Sequence, residues 1–420
     1  MKILLLTPFV PSPLAPAGCP RAVADRLTLL AGQDVTIVTF ADPEERARLH
    51  RAASAPEPAR AWSTRLYAVP RDPAGAQHGW RQWAKRGRLA VGLLRRERPL
   101  LVQEFASARV QRLVRQLLRR ERFDLVLVEH TLMAQYALGL RRPPVVLSEH
   151  DAAAAFAPAE VRGTSLPQRL LAAWERRRWR RYLAEGTRTA AAVLAPTEAD
   201  AALLARELST GRPDVVPFGL VTAAARPAGA ATRDAGTLLF VGNFNHPPNV
   251  DAAVWLVEAI LPIVRAECPG VRLLLVGKDP PPAVRALAGA AVAVTGTVPE
   301  VAPYLHAATV FVAPLRQGGG MRIKVLEALA SGIPVITTPV GAAGIAAVPG
   351  RDLLVADSAA AFAAAVLSAL EDQALRDRLG AAGAALAQAD SRDSRAARLL
   401  AVLEAAARRG PLRGSSGLHG

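Results

Sequence analysis

The chain alternates short, continuous apolar runs with longer segments of helical periodicity. The apolar runs lie at residues 2–7, 34–40, 123–129, 145–148, 191–195, 214–216, 237–242, 273–277, 291–296, 309–313 and 335–337. Continuous apolar runs, unlike alternating ones, are typical of parallel strands that are buried on both faces of a sheet. Because helical segments separate most of these runs, we predict an α/β protein built from doubly wound parallel sheets.

The 420 residues exceed what one hydrophobic core comfortably holds, so we predict two domains. Residues 221–236 are rich in Ala, Pro and Thr and have no periodicity, which is typical of a linker. We therefore predict a first domain at 1–220, a second at 237–388, a helix at 389–409 and a disordered tail at 410–420. Residues 41–122 are arginine-rich, and we predict that they are helical.

The stretch from residue 309 to 338 carries the strongest chemical signal. A predicted strand ends at Pro314, and a loop of Gly318, Gly319, Gly320 and Met321 leads into a helix that ends before Gly332. Glycine lets the backbone approach a ligand closely. The first N–H groups of a helix and its dipole together attract an anion. This stretch therefore predicts an anion-binding site.

Three charged side chains near the start of this helix refine the prediction. Arg322 and Lys324 lie in the first turn, where cations are mildly unfavourable unless an anion binds there. Glu327 lies one turn later, and helical side chains lean back toward the N-terminus. Phosphates on the two cations and a ribose on Glu327 would make a nucleotide site. In the alternative interpretation, Lys324 and Glu327 form an ordinary i,i+3 pair worth ~0.2–0.5 kcal/mol and the glycines only turn the chain.

Other polar or glycine positions follow predicted strands, at the end where α/β sheets hold ligands. Gly18 follows the first strand, where it admits a phosphate or an acceptor group or else makes a plain turn. His150 follows the strand at 145–148, and His130, the weaker candidate, follows the strand before it. A lone histidine is as readily a local hydrogen-bonding residue. In the second domain, the candidates at strand ends are Gly242, Asn243, Gly277 and Lys278.

The segment from Pro314 through the glycine loop to Glu327-Ala-Leu-Ala-Ser-Gly-Ile-Pro-Val-Ile resembles the donor-binding signature of GT-B glycosyltransferases, particularly the retaining family 4. The resemblance implies two Rossmann-like domains that face a cleft, with the C-terminal helix crossing back to the first domain. It also implies that Glu327 binds the nucleotide ribose and that His150 lies near the donor sugar.

The chain departs from the family pattern at two positions. Gly319 stands where many members have a second glutamate, and Asn243 stands where an arginine or lysine often approaches the donor phosphates. Lys278, Arg322 and Lys324 are then the remaining cationic candidates for the phosphates. Near the first strand, the segment from Ala17 to Arg21 partly matches the family's Gly-Gly-x-x-Arg.

The formal net charge is +16, and it is unevenly distributed. Residues 237–388 carry ten basic and eleven acidic side chains, so the remainder of the chain carries +17. A basic half favours an anionic surface or acceptor. The helix predicted at 168–183 places leucines and aromatic residues on one face and arginines on the other. It is either a core helix with a solvated face or a helix that lies on an anionic membrane.

Some classes of protein are excluded by composition. Two cysteines, Cys19 and Cys268, cannot form a disulfide framework or a cysteine metal site. Apolar runs are too short to span a bilayer, and the prolines after residue 7 argue against an export signal. A nucleic-acid module is not recognisable. We expect a cytoplasmic protein, peripheral on the inner face of the membrane.

The resemblance implies a retaining hexosyltransferase-like enzyme that needs no cofactor, with a nucleotide-diphosphate sugar as the donor substrate. The absence of an Asp-x-Asp motif favours a metal-free mechanism. We expect the acceptor to be a carbohydrate or lipid-linked precursor of an envelope or exopolysaccharide. The alternatives are a GT-B sugar-nucleotide epimerase or hydrolase, a nucleic-acid binder, and a non-catalytic GT-B partner protein.

Overall fold

The computed structural model describes residues 1–12, 19–47, 65–70, 98–150, 166–209, 211–218, 236–318, 322–389 and 392–409. The predicted tail and all but the last residue of the predicted linker lie outside these ranges. Four predicted site residues lie outside them as well, namely Gly18, Gly319, Gly320 and Met321.

The contacts within the chain divide it into two compact units. The first unit comprises Met1–Val10, Leu27–Pro217 and Ala396–Gly420, and the second comprises Pro11–Arg26 and Phe218–Arg395. Residues 11–26 thus group with the second unit, although they directly follow the first strand of the first. Each unit has its own parallel sheet and its own buried core.

The first unit contains a seven-stranded parallel sheet in the order β3-β2-β1-β4-β5-β6-β7. Its strands are β1 (Lys2–Thr7), β2 (Asp34–Ala41), β3 (Arg65–Pro70), β4 (Leu125–Glu129), β5 (Val145–Ser148), β6 (Ala192–Ala195) and β7 (Asp214–Val215). The central strands β1 and β4 are almost entirely buried, as their continuous apolar sequences require. The predicted doubly wound sheet is therefore confirmed.

Helices of the first unit follow its strands. They are α1 (Cys19–Leu29), which spans the division between the units, α2 (Leu100–Glu104), α3 (Ala108–Arg120), a 3₁₀ helix (Thr131–Tyr136), α4 (Leu166–Thr189) and α5 (Glu198–Leu208). Helix α3 buries Val110, Val114 and Leu117, which repeat every three or four residues along one face. Its arginines consequently lie on the opposite, exposed face.

The prediction that residues 41–122 are helical is wrong for β3. This strand pairs in parallel with β2 at the edge of the sheet, from Arg65 opposite Thr36 to Pro70 opposite Ala41. Only Val69 of its six residues is buried. Its apolar run, Leu66–Val69, has only four residues and lies in an arginine-rich region between Arg65 and Pro70, so its strand signal was weaker than that of the central strands.

The predicted apolar face of the helix at 168–183 is only partly buried. Tyr182 and Leu183 of α4 are in the core, whereas Leu170 is 64% exposed and Leu171 is 48% exposed. Arg178 is the one arginine of this helix segment that falls outside the arginine face. It is buried, and its Cζ atom lies 4.2 Å from the centre of the Trp174 ring. The C-terminal half of α4 is therefore a core helix, and its N-terminal half presents leucines at the surface.

The second unit contains a six-stranded parallel sheet in the order β10-β9-β8-β11-β12-β13. Its strands are β8 (Thr237–Val241), β9 (Arg272–Val276), β10 (Val292–Gly296), β11 (Val310–Ala313), β12 (Val335–Thr337) and β13 (Leu354–Val355). The sequence did not predict β13, which has two residues and pairs only with β12. The five longer strands all lie at predicted positions.

Helices cover both faces of this sheet. They are α6 (Pro247–Trp255), which continues through a π-helical turn (Leu256–Ile260) into α7 (Leu261–Glu267), and then α8 (Pro282–Arg285), α9 (Ala302–Ala307), α10 (Ile323–Ala330), α11 (Pro339–Ala342), α12 (Ala359–Glu371) and α13 (Gln373–Ala389). The last helix, α14 (Arg392–Arg409), belongs to the first unit from Ala396 onward. In the described part of the chain, no helix is both long and apolar enough to cross a bilayer.

Helix α10 is held against the sheet by α13. Gly332 ends α10 with a positive φ of 67°, and Gly380 of α13 packs directly on the Gly332 carbonyl group. A Cβ atom at residue 380 would lie 2.5 Å from that oxygen, closer than any side chain tolerates. The two helices thus approach to backbone contact, which fixes where the charged side chains of α10 lie.

We expect Gly380→Ala to lower the urea midpoint for unfolding of the full-length protein. The added methyl group must push α13 away from α10, and crowding of this kind costs ~1–3 kcal/mol. Alanine gains about 1 kcal/mol over glycine inside a helix, so the net change is smaller but destabilising. Circular dichroism measures the midpoint.

Gly289→Ala is the matched control, because its Cβ would meet no atom within 4 Å. Equal midpoints for the two variants would contradict the close contact between α10 and α13.

Candidate functional site

The strand order of the second sheet reverses between β8 and β11. Connections leave these two neighbouring strands in opposite directions, which opens a crevice at their carboxyl ends where α/β sheets bind ligands. Gly242 and Asn243 follow β8, and Pro314 follows β11. Three predicted residues, Gly318, Lys324 and Glu327, lie on the loop and helix that come next. The topology therefore brings the predicted residues of two distant segments to one crevice.

Lys324 occupies a largely buried position in this crevice. Its Nζ atom donates a hydrogen bond to Oδ1 of Asn249 and lies 4.9 Å from the centre of the Phe240 ring. Burial, followed by the charge of Arg322, lowers the pKa of Lys324 to about 7, and Glu327 acts in the opposite direction. The side chain is thus a lysine that can change charge near neutral pH, which is typical of functional sites.

Glu327 is buried on the next turn of α10. Its Oε1 atom lies 3.5 Å from Nη2 of Arg21, a residue of the second unit that belongs to α1. Burial raises the pKa of Glu327 to about 7, while Arg21 and Lys324 lower it. A buried carboxylate and a buried ammonium therefore titrate in the same pH range.

The sequence analysis did not include Arg21 among the candidate site residues, although Arg21 is the last residue of the segment that partly matches a family motif. The partial match from Ala17 to Arg21 was the available signal. The structure adds what the sequence could not give, namely that this guanidinium reaches a carboxylate about 300 positions further along the chain.

Arg322 precedes α10 and is buried among backbone carbonyl groups. Its Nη2 atom donates to the carbonyl oxygen of Gly318 at 2.7 Å, and its Nε atom donates to that of Val340 at 3.1 Å. Gly318 has a φ of 119°, a conformation that favours glycine. Arg322 therefore ties the glycine loop to the segment after β12 and also supplies positive charge close to Lys324.

Two further polar residues of the crevice were not predicted. Asn249 of α6 accepts from Lys324 and donates from Nδ2 to the carbonyl oxygen of Asn243 at 2.7 Å. His246 caps the same helix, and partial burial together with Lys324 and Arg322 lowers its pKa. Neither residue lies in a recognisable motif, so sequence reasoning had no signal for them.

Gly242 and Gly277 allow the ends of β8 and β9 to lie close together. A Cβ atom on Gly277 would lie 1.6 Å from the carbonyl oxygen of Gly242, and one on Gly242 would lie 3.1 Å from Cβ of Asn249. Lys278 is different, because its side chain is 56% exposed and lies 3.9 Å from Asp279. The structure thus places Lys278 at the surface, outside the buried contacts of Lys324.

A second polar cluster lies at the carboxyl ends of β4 and β5 in the first unit. Nε2 of His150 lies 2.7 Å from Oε2 of Glu129, whose side chain is fully buried. The rings of His130 and His150 have their centres 5.3 Å apart. Burial, followed by His150, lowers the pKa of His130 to about 3, so His130 is neutral at physiological pH. His150 therefore belongs to a built cluster rather than standing alone.

Comparison with known proteins covers both units. The family model described as Glycosyltransferase Family 4 matches residues 21–224, and the one described as Glycosyl transferases group 1 matches residues 235–372. An uncharacterized 44.6 kDa protein in the cps region of Klebsiella pneumoniae is 25% identical over 140 residues. That match spans 31% of this chain and 36% of the relative, so it covers only about a third of each protein.

Three solved structures resemble nearly the whole chain. Sucrose-phosphate synthase from Thermosynechococcus elongatus has a TM-score of 0.66 and 20% identity over 96% of this chain and 99% of its own. HepE from Anabaena, in complex with UDP and glucose, has a TM-score of 0.63 and 15% identity over 96% and 99%. A variant of TarM from S. aureus, in complex with UDP, fondaparinux and alpha-GlcNAc-glycerol, has a TM-score of 0.69 and 10% identity over 96% and 100%. These likenesses establish the two-domain fold.

We expect Glu327 and Lys324 to give the unliganded protein a stability minimum near pH 7. The folded protein binds a proton on Glu327 that the unfolded chain lacks between about pH 4.5 and 7, so stability falls as pH rises through that range. The unfolded chain binds a proton on Lys324 that the folded protein lacks between about pH 7 and 10.5, so stability rises again there. At about 1.4 kcal/mol per pKa unit, these shifts correspond to changes in the free energy of unfolding of about 3 kcal/mol for Glu327 and about 5 kcal/mol for Lys324.

Urea unfolding of wild type, Glu327→Gln and Lys324→Met across this range separates the two limbs. The glutamine variant should lose the slope below pH 7 and the methionine variant the slope above it. A Glu327→Gln difference that stays constant from pH 5 to 7 would contradict the raised pKa of Glu327.

Proposed function

Because the two units of this chain belong to the glycosyltransferase families described as Family 4 and group 1, we propose that the protein transfers a sugar from a nucleotide-diphosphate sugar to an acceptor. The observation that carries the proposal is the pair of buried charged groups on α10 at the strand reversal of the second sheet, where Lys324 donates to Asn249 and Glu327 lies 3.5 Å from Arg21. Burying such charges is costly unless a partner compensates them. A donor with an anionic diphosphate and a hydroxyl-bearing ribose supplies both partners.

Each side chain has a role that its chemistry fits. Lys324 and Arg322 stabilise the charge that develops on the departing diphosphate, and Glu327 accepts hydrogen bonds from the ribose hydroxyl groups. Since the free protein holds Lys324 at a pKa of about 7, binding of a diphosphate favours its charged form and draws a proton onto it above neutral pH.

The proposed transfer is metal-independent and retains the configuration at the anomeric carbon. The bond between the anomeric carbon and the diphosphate oxygen breaks, and the electron pair leaves with the diphosphate. An acceptor hydroxyl oxygen bonds to the same face of the sugar, and its proton passes to the departing diphosphate. In this proposal the cations of the second unit provide the electrostatic stabilisation that a metal ion provides in other transferases.

We place the acceptor with the first unit and propose a carbohydrate or lipid-linked precursor of a surface polysaccharide. The relative encoded in a cps region supports this class of acceptor. The arginine face of α3 supports the proposal that the protein acts at an anionic membrane surface. Exposed arginines fill this face (Arg109, Arg112, Arg115, Arg119 and Arg120), and the helix carries no acidic residue.

A sugar-nucleotide epimerase or hydrolase is the second candidate, because Gly319 and Asn243 depart from the family pattern at positions expected near the donor sugar and the donor phosphates. Release of nucleoside diphosphate from candidate donors, measured with and without acceptor, separates the two functions. Transfer requires the acceptor, whereas hydrolysis does not. Repeating the assay in EDTA tests metal independence, since inhibition that magnesium reverses would contradict it.

We expect Glu327→Ala to weaken binding of a nucleoside diphosphate by ~1–3 kcal/mol, because it removes the carboxylate that pairs with the ribose. Isothermal titration with UDP, GDP and ADP identifies the base and measures the loss. Glu300→Ala, at an exposed glutamate of the same unit, is the control and should bind normally. Equal affinity of a folded Glu327→Ala protein and wild type would refute the ribose assignment.

We expect replacement of Arg112, Arg115 and Arg119 by glutamine to weaken cosedimentation of the full-length protein with anionic vesicles at low salt. Basic residues near an anionic surface contribute about 1 kcal/mol each, and salt screens this attraction. The matched control replaces Arg265, Arg272 and Arg378, which are exposed arginines of the second unit. Equal loss in both triple variants would assign the binding to net charge rather than to α3.

A further inference from the structure

The loop after β8 brings a histidine to the crevice of the second unit that the proposed function leaves without a role. His246 directly precedes α6, and the residue is exposed. Its backbone is held on both sides, because its N–H donates to the carbonyl oxygen of Asn243 at 3.1 Å and its own carbonyl oxygen accepts from the N–H of Asn249 at 2.9 Å. His246 is therefore a surface side chain on a well-held backbone.

The start of α6 has few backbone donors for a ligand. Its first two residues, Pro247 and Pro248, have no N–H group, and the N–H of the third, Asn249, donates back to His246. The side chain of His246 makes no hydrogen bond with the helix that it precedes, although capping side chains commonly do. An anion beside this helix start must therefore be bound by side chains rather than by backbone amides.

The residues that follow the histidine place the start of α6 beside the cations of α10. A Cβ atom at Gly318 would lie 3.7 Å from Cγ of Pro248 and 3.6 Å from the terminal guanidinium nitrogens of Arg322. The next residue of α6, Asn249, accepts a hydrogen bond from Lys324. The glycine loop and the starts of the two helices thus meet at one point of the crevice, within three residues of the histidine.

The charges around the His246 ring are mostly positive. Partial burial, followed by the positive charges of Lys324 and Arg322, lowers the pKa of His246. Acidic side chains of the surrounding elements have other partners: Glu327 lies 3.5 Å from Arg21, Asp251 of α6 accepts from Nε of Arg316 at 3.0 Å, and Asp279 accepts from Nδ2 of Asn245 at 2.7 Å. Two cations and a titratable ring therefore lie together, an arrangement that an anion stabilises.

We infer that His246 is a third ligand for the diphosphate group of the donor, which its ring binds through an N–H group beside Lys324 and Arg322. The identity of this ligand rests on the proposed function. Two guanidinium nitrogens of Arg322 already donate to backbone carbonyl groups, so the His246 ring adds a hydrogen bond that those atoms do not supply. The bound diphosphate also favours the charged imidazole, which the two cations disfavour in the free protein.

This role has a specific pH dependence. The pKa of His246 is lowered in the free protein, and the diphosphate raises it in the complex. Between these two pKa values the complex binds a proton that the free protein lacks, so the contribution of His246 to affinity grows as the pH falls. Glu327 and Lys324 also titrate in this range. They are present in wild type and in a His246 variant alike, so the ratio of the two affinities isolates His246.

The test is isothermal titration of the full-length protein with inorganic pyrophosphate from pH 6 to pH 9. His246→Gln keeps a neutral donor but cannot take up a proton. We expect it to bind about tenfold more weakly than wild type at pH 6, because a charged donor makes the stronger hydrogen bond, and about equally well at pH 9. Titrations in buffers of different ionisation enthalpy should show that wild type takes up more protons than the variant at pH 6, by at most one.

His306→Gln is the matched control, because it removes a histidine of the same unit from the end of α9. That helix leads into the amino end of β11, whereas the crevice lies at the carboxyl end. The control should bind like wild type at every pH. His246→Asn repeats the measurement with a preferred capping residue, so that a weakened α6 is not mistaken for a lost ligand. A loss that is the same at pH 6 and pH 9 in both His246 variants, or no loss, would overturn the inference.

UDP, GDP and ADP, titrated in parallel, separate this inference from the proposed function. If pyrophosphate binds with the expected pH dependence and none of the three nucleotides binds, the role of His246 in binding a diphosphate group is supported and the proposed donor is refuted. If a nucleotide binds and His246→Gln leaves its affinity unchanged, the donor is supported and the role of His246 is refuted. Failure of wild type to bind pyrophosphate at any pH also refutes that role.

Discussion

Burial of opposite charges at a strand reversal is the constraint on which the second unit depends. Lys324 and Glu327 lie one turn apart on a short helix, and burial shifts the pKa of both side chains. Their main contacts are with other residues rather than with each other. Asn249 and the Phe240 ring hold the ammonium group, while Arg21 approaches the carboxylate. Because desolvation favours the neutral form of each group, both pKa values move to about 7. The site is thereby prepared for a ligand that restores the charges.

Such a site requires close backbone packing around it. Gly277 lets the end of β9 approach Gly242 after β8, and Gly380 lets α13 approach the end of α10. Arg322 adds polar ties, since its guanidinium joins the carbonyl groups of Gly318 and Val340. These contacts hold the backbone around the charged groups in place. In the proposed transfer, such a preorganised site would stabilise developing charge without rearrangement.

The first unit repeats the same physical theme with different residues. Its sheet also places a buried carboxylate beside a titratable side chain at the carboxyl ends of parallel strands, here Glu129 with His150. In both units the loop residues follow buried strands, and the parallel pairing of these strands positions them. The candidate site residues of both units therefore follow directly after well-buried segments of the chain.

The sequence by itself located eleven of the thirteen strands, because continuous apolar runs such as residues 2–7 and 335–337 favour burial in a parallel sheet. It also selected Glu327 and Lys324 as candidate site residues, since a glycine loop before a helix start that carries cations predicts an anion site. It missed β3, whose four-residue apolar run lies in an arginine-rich region, and β13, which has only two residues. Tertiary structure alone decided that Arg21 reaches Glu327, that Asn249 holds Lys324 and that Glu129 holds His150. Each of these contacts joins separate elements, and their distances depend on sheet register and helix packing, which no local pattern encodes.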